Sequence, residues 1–203
     1  MILLFSLAIR IIFFNNSSSK IGANKEMAII TSFLLFILIF SNNSQSLQTC
    51  QSMLTETTPT SDFIDNSDGT TTHKPTGLMW QTCSKGSIWS EGDCTGMNQV
   101  TTWQEALQYV DALNVSGGIS GFTDWRLPNI KELSSLTEFK CFEPSLNEAL
   151  FPNTEVDFFD SYYWTSTPAF GDRSWAISFN DGRGTVLPRI DFSYIRLVRN
   201  LNN

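Results

Sequence analysis

The sequence predicts an α+β fold in which two helices pack on a mainly antiparallel sheet. The order of the elements is the first reason: a hairpin pattern is followed by two capped helical segments and then by a half that is rich in strand formers. Helices and strands do not alternate along the chain, as they would around a parallel sheet. All four cysteines lie in this same part of the chain, which indicates a domain stapled by disulfides.

Residues 1–46 are predicted to be a signal or leader region that precedes the folded domain. Residues 28–40 form an apolar run, two lysines come before it, and small polar residues follow it up to Ser46. This is the pattern of a secretory signal. The run is too short to cross a bilayer, which needs roughly 20 helical residues. An uncleaved anchor is the alternative, and Met27 is a second candidate for the true start.

Charge limits the partners that the chain can have. The whole chain carries 13 basic and 20 acidic side chains, for a net charge of −7. Without the leader, 10 basic and 19 acidic side chains remain, for a net charge of −9. This balance disfavours nucleic acid and anionic lipid as partners. The remaining length fits one domain, with an extended lead-in over 47–61 and the domain itself over 62–203.

The four cysteines, Cys50, Cys83, Cys94 and Cys141, are predicted to form two disulfides, because an even number of cysteines is typical of an exported domain. Three pairings are possible. Cys83 and Cys94 bracket a short loop of small and polar residues that can close on itself, and this leaves Cys50 with Cys141. A zinc site is the alternative, but the sequence has no C-x-x-C pair.

Turn signals and alternating apolar residues predict the strands. A hairpin is expected over residues 63–73, around the turn Asp68-Gly69. The other strands are expected at residues 77–81, 162–167, 175–179, 185–187 and 194–198. In the last of these strands, Ile195 and Leu197 share one face.

Capping signals predict where the helices begin. Thr102 and Glu105 form a capping box ahead of an amphipathic segment. Asn129, followed three residues later by Glu132, caps the second helix. A further helical turn is expected at residues 145–150.

Several strings in a fixed order make the chain recognisable. Among them are Thr76-Gly77-Leu78-Met79-Trp80-Gln81, Gly121-Phe122-Thr123-Asp124-Trp125-Arg126-Leu127-Pro128 and Tyr194-Ile195-Arg196-Leu197-Val198-Arg199. With these strings the sequence resembles the Lcl C-terminal domain family. This is a bacterial domain of largely unknown function, named from the C-terminal domain of a collagen-like surface adhesin. The resemblance covers roughly residues 62–200.

The resemblance carries expectations about fold and ligand. The strings Arg126-Leu127-Pro128 and Arg196-Leu197-Val198-Arg199 are also similar to the formylglycine-generating-enzyme group, which implies a C-type-lectin-like fold. The adhesin relative implies binding of sulfated polysaccharide. The net charge argues against that ligand here, because ion pairs to sulfate need clustered lysine or arginine.

An enzymatic function is not expected. His73 is the only histidine, and it is expected at the surface rather than in a Ser-His-Asp or Cys-His site. The iron-dependent relatives of the formylglycine group need several histidine ligands, and the copper-dependent oxidases need a late reactive cysteine pair. The sequence has neither. No cofactor or metal site is predicted, although calcium between acidic loops is an open alternative.

The predicted function is a secreted or periplasmic, non-catalytic module that binds a glycan or a surface protein at the bacterial surface. Trp89, in the Cys83–Cys94 loop, and Tyr162 and Phe170, beside a second loop, are the candidate contacts, because exposed rings stack on flat sugar faces. Packing of Trp89 onto its own loop is an equal alternative. Three polar side chains are also candidate ligand contacts: Asp172, Asp181 and Arg183. The alternative functions are a formylglycine-generating-type enzyme and a structural surface module without a small ligand.

Overall fold

The computed structural model describes residues 48–156 and 161–201, so the predicted leader lies outside the described residues. The strands, in chain order, are β1 (Thr49–Cys50), β2 (Phe63–Asp65), β3 (Thr70–His73), β4 (Leu78–Gln81), β5 (Ile88–Ser90), β6 (Asp93–Thr95), β7 (Cys141–Phe142), β8 (Tyr162–Pro168), β9 (Arg173–Ser178), β10 (Gly184–Pro188) and β11 (Val198–Asn200). The helices are a 3₁₀ turn (Thr60–Asp62), α1 (Trp103–Val115) and α2 (Ile130–Ser134). The prediction of an α+β fold is confirmed.

Two antiparallel sheets carry the described part of the domain. The first has the strand order β11-β4-β3-β2, and the second has the order β10-β9-β8. Short two-stranded ribbons, β1–β7 and β5–β6, lie beside them. The C-type-lectin-like topology that the resemblance implies stays a prediction.

Residues 194–200 connect the two sheets. Tyr194 pairs with β8, since its N–H donates to Tyr162 O at 2.8 Å and its carbonyl accepts from Trp164 N–H at 2.9 Å. A few residues later, Val198 pairs with Trp80 in β4. On its other side, Val198 exchanges two 3.0 Å hydrogen bonds with Arg126. One extended segment therefore holds both sheets in place.

Both helices begin where their capping residues predict. Thr102 Oγ1 accepts from Glu105 N–H at 3.3 Å, and the Glu105 carboxylate accepts from Thr102 N–H at 2.8 Å. At α2 the Asn129 side chain accepts from the N–H of Glu132, whose carboxylate accepts from Asn129 N–H at 2.8 Å. These bonds satisfy amides that a helix terminus otherwise leaves open.

The apolar side chains form two core clusters on opposite faces of the second sheet. Neighbouring residues of β8 point to opposite sides, so Tyr163 enters one cluster and Trp164 the other. The first cluster includes Trp80 and Leu133 of α2, and the second includes Val110 of α1. The helices thus pack against the sheets as predicted. Among the described residues, no helix has the length and apolar character that a membrane crossing requires.

Both predicted disulfides are present. Cys83 bonds to Cys94 across 11 residues, and both side chains are buried. Cys50 bonds to Cys141 across 91 residues, and these two cysteines face each other in the β1–β7 ribbon. The second bridge ties the beginning of the described chain to the middle of the domain.

The surface position expected for His73 is wrong. Its ring is 5% exposed and stacks on Phe63 with 4.4 Å between the ring centroids. Its Nδ1 atom lies 2.9 Å from Thr76 Oγ1. Burial lowers the pKa of His73, and the charge of Asp62 opposes this effect only in part.

Arg196, in the segment 194–200, is a fully buried basic side chain. Its guanidinium donates to Thr82 O and, at 2.7 Å, to Thr154 Oγ1, and it lies 4.7 Å from the Phe151 ring centroid. Ser84 Oγ is 3.3 Å from the same guanidinium and 3.1 Å from Tyr163 Oη. Burial lowers the pKa of Arg196 and raises that of Tyr163. These groups form a structural hydrogen-bond network.

Candidate functional site

The structure places the predicted ligand-binding residues in separate parts of the domain. Trp89 lies on β5, half-buried, and packs against Gly69: a Cβ atom on that glycine would lie 3.2 Å from Trp89 Cβ. Trp89 therefore lies beside the turn between β2 and β3 and not only beside its own loop. Its role in ligand binding stays a prediction.

The other predicted residues lie at the two ends of β9, except for Tyr162. Phe170, 73% exposed, and Asp172 precede the strand. Asp181 and Arg183 follow it and pair with each other at 3.0 Å. A strand of six residues spans about 20 Å. These two pairs of residues are therefore too far apart to form one small-molecule site.

Tyr162 lines a groove that the strand pattern alone did not reveal. We call it the aromatic groove. Its volume is about 550 Å³, within the range of small-molecule sites. The residues lining the aromatic groove are Val100, Ser161, Tyr162, Leu187, Ile190, Asp191, Phe192 and Tyr194.

Backbone hydrogen bonds hold the walls of the aromatic groove. Ser193 exchanges hydrogen bonds of 2.9 and 3.0 Å with Thr101, next to Val100. A turn at the end of β10 is closed by a 3.0 Å bond from Asp191 N–H to Pro188 O. Tyr194 pairs with β8 as described above. The groove is therefore formed before any ligand arrives, which reduces the entropy lost on binding.

Large apolar side chains surround the aromatic groove and remain accessible. Ile190 is 76% exposed, Phe192 62% and Val100 43%. Tyr162 is half-buried and packs against the second core cluster. Exposed apolar side chains that surround a concavity indicate a binding surface more than scattered ones do.

A buried polar residue, Ser161, lies beside the aromatic groove. It is 2% exposed, and Oγ has no hydrogen-bond partner among the described residues. A buried hydroxyl without a partner costs free energy, so such groups are rare in folded proteins. Oγ is closed to solvent, so a ligand reaches it only if the surrounding structure moves.

The charge of the aromatic groove is negative. Among the described residues that line it, Asp191 is the only one with a charged side chain. Arg189 lies near it in sequence, but its guanidinium lies 4.5 Å from the Trp103 ring centroid and its Nε donates to Ser174 Oγ at 3.0 Å. Across residues 48–156 and 161–201, no three His, Cys, Asp or Glu side chains lie close enough to hold a metal ion. The calcium alternative stays untested, and Asp157 and Asp160 lie outside the described residues.

A smaller cavity of about 190 Å³ lies beside the Cys50–Cys141 bridge. Glu138 lines it, and its carboxylate accepts from the N–H groups of Thr57, Thr58 and Lys140 at 2.8 to 3.0 Å. Burial raises the pKa of Glu138, but these hydrogen bonds outweigh burial and the net pKa is lowered. Thr57 and Thr58, which precede the 3₁₀ turn, supply most of the hydrogen bonds to this carboxylate. Glu138 therefore holds that segment against the domain.

The fold and the groove define a disulfide-bonded α+β domain with a preformed, aromatic-lined groove. The chain belongs to the Lcl C-terminal domain family, whose model matches residues 69–199. The resemblance drawn from the strings is thus confirmed. The aromatic groove lies entirely within the matched residues, whereas Cys50 precedes them. Among curated proteins, none matches the chain.

Sequence reasoning identified one residue of the aromatic groove, Tyr162, and missed the others. Phe192 and Ile190 follow a strand that ends at Pro188, and apolar residues after a strand end are a usable signal of exposure. Ser161 gives no such signal, because the burial of its hydroxyl without a hydrogen-bond partner depends on neighbours that are distant in sequence.

Proposed function

We propose that this domain is an exported, non-catalytic binding module and that its ligand is a glycan held in the aromatic groove. The observation that carries the proposal is the combination of exposed Phe192, half-buried Tyr162 and the exposed carboxylate of Asp191 in one preformed concavity. Glycan sites combine aromatic faces, which stack on the apolar side of a sugar ring, with a few polar groups that fix its orientation.

Export is part of the same proposal. Two disulfides are stable in an oxidising compartment and rare in the cytosol. The C-type-lectin-like topology also belongs to this proposal, and the antiparallel sheets with two packed helices support it. Binding at the bacterial surface is the function that this set of properties favours.

The alternative of a formylglycine-generating-type enzyme has less support. All four cysteines are bonded in pairs, so the chain in this state has no reactive thiol pair. The single histidine is buried against Phe63 and lies outside the aromatic groove. The alternative of a structural module without a ligand is an outcome of the experiment below.

A glycan array tests the proposal, with calcium and with a chelator. The purified wild-type domain is compared with Phe192→Ala and with Phe170→Ala, a control that removes an exposed phenylalanine ring outside the aromatic groove. We expect binding that Phe192→Ala abolishes and Phe170→Ala retains. Absence of glycan binding by the wild type would support the structural alternative. Loss in Phe170→Ala with retention in Phe192→Ala would move the site to the β8–β9 loop.

A further inference from the structure

Among its described lining residues, the aromatic groove combines a carboxylate with apolar walls and has no basic side chain. Asp191 is exposed and forms no ion pair among the described residues. Phe192 beside it is 62% exposed, and Tyr162 forms part of the wall. Among the described residues, a ligand in this groove therefore meets one negative charge and three aromatic side chains, Tyr162, Phe192 and Tyr194.

Anionic ligands do not fit this arrangement. A sulfate or uronate group needs guanidinium or ammonium donors for charge-assisted hydrogen bonds. The described lining offers none, and Arg189 directs its guanidinium to Trp103 and Ser174. The net charge of the chain, −7, adds repulsion over a longer range.

Cationic sugars fit the aromatic groove. We infer that the aromatic groove selects glycans with free primary amines, of the glucosamine class, and that Asp191 is the specificity-determining residue. This inference rests on the proposed function. The ammonium group pairs with the Asp191 carboxylate, and the sugar ring stacks on Phe192 or Tyr162. Cations are also attracted to aromatic faces, which adds to the same preference.

The size of the preference follows from the exposure of Asp191. An exposed ion pair changes a dissociation constant by about threefold. Salt weakens such a pair, because the screening length falls to about 3 Å at 1 M. The stacking contribution does not depend on charge, so binding of the N-acetylated sugar persists at high salt.

The test compares a glucosamine hexamer with an N-acetylglucosamine hexamer in mildly acidic buffer, by isothermal titration calorimetry. The proteins are the wild type, Asp191→Asn and Asp111→Asn. Asp111 is exposed on α1 and outside the aromatic groove, so its substitution removes the same charge elsewhere. Thermal unfolding checks that each variant is folded.

We expect the wild type and Asp111→Asn to bind the glucosamine hexamer about threefold more tightly than the acetylated one. In Asp191→Asn this preference shrinks, because the ammonium groups keep only their attraction to the aromatic rings and to the remaining negative charge. Equal affinities in the wild type, or a preference of undiminished size in Asp191→Asn, would overturn the inference and leave glycan binding intact. Binding of neither hexamer, together with an empty glycan array, would overturn the proposed function itself.

Discussion

Arg199 donates a 2.6 Å hydrogen bond from Nε to Asp124 Oδ1, and its guanidinium lies 4.0 Å from the centroid of the Phe122 ring. The two charged residues belong to the two most recognisable strings of the sequence. They join the segment before α2 to the terminal strand β11. The Arg199 side chain is 5% exposed and that of Asp124 is 35% exposed, so the cation is shielded from solvent while the carboxylate is only half-buried.

Removing the carboxylate of this pair should destabilise the domain strongly. In Asp124→Ala the buried Arg199 loses its charged partner, and the free energy of unfolding should fall by about 3 kcal/mol. Urea unfolding measures the change. Glu56→Ala is the matched control, because Glu56 pairs with Lys140 with its side chain 52% exposed and should cost less than about 1 kcal/mol. Equal losses in the two variants would contradict this prediction.

Burial of His73 should make stability depend on pH near neutrality. Because the pKa of His73 is lowered in the folded state, the unfolded state binds the proton first as pH falls below about 6.5. The free energy of unfolding should therefore be highest above this pH and decrease as pH falls towards the folded-state pKa. Urea titrations from neutral to mildly acidic pH measure this. His73→Gln should flatten the curve, and an unchanged slope would assign the dependence to other groups.

The two disulfides should differ in their contribution to stability and in their accessibility. Chain-entropy arguments give about 4.5 kcal/mol for the 91-residue separation and about 3 kcal/mol for the 11-residue one. Paired Cys→Ser variants measured by thermal unfolding test this order.

Cys50 is exposed whereas Cys83 and Cys94 are buried, so a dithiol reductant should open Cys50–Cys141 first. Non-reducing peptide mapping after partial reduction identifies the disulfide that opens first. Opening of Cys83–Cys94 before Cys50–Cys141 would contradict this prediction.

Two buried serines should respond differently to the loss of their hydroxyls. Ser84→Ala removes a group bonded to Tyr163 and Arg196, and should cost about 1–3 kcal/mol. Ser161→Ala removes a buried hydroxyl without a partner among the described residues, so its free energy of unfolding should equal that of the wild type or exceed it by about 1 kcal/mol. Urea unfolding measures both changes. A large loss of stability in that variant would show that Ser161 has a structural role.

Elements with local signals could be predicted from the sequence. The caps at Thr102 and Asn129 depend on side chains three residues apart, and both helices begin where these side chains indicate. The hairpin around Asp68-Gly69 is local in the same way. Its turn needs a positive φ, which Gly69 adopts at 86°.

Features that depend on tertiary contacts could not be predicted. The hairpin places Phe63 against His73, but Phe63 itself packs on Phe151, 88 residues further along the chain, with 6.0 Å between the ring centroids. The helical turn expected at 145–150 is a short hydrogen-bonded turn instead, since Ser145 Oγ donates to Phe179 O, 34 residues away, rather than capping a helix. The aromatic groove depends on the pairing of Tyr194 with β8, and no sequence period encodes that pairing.

The position of residues 194–200 between the two sheets has a consequence for folding. Until this segment docks, β4 and β8 each have an edge without its final partner. Open strand edges pair readily with other chains, so folding intermediates that lack this contact are prone to aggregate. A truncation that removes residues 194–200 would therefore yield an aggregating product and not a shortened working domain.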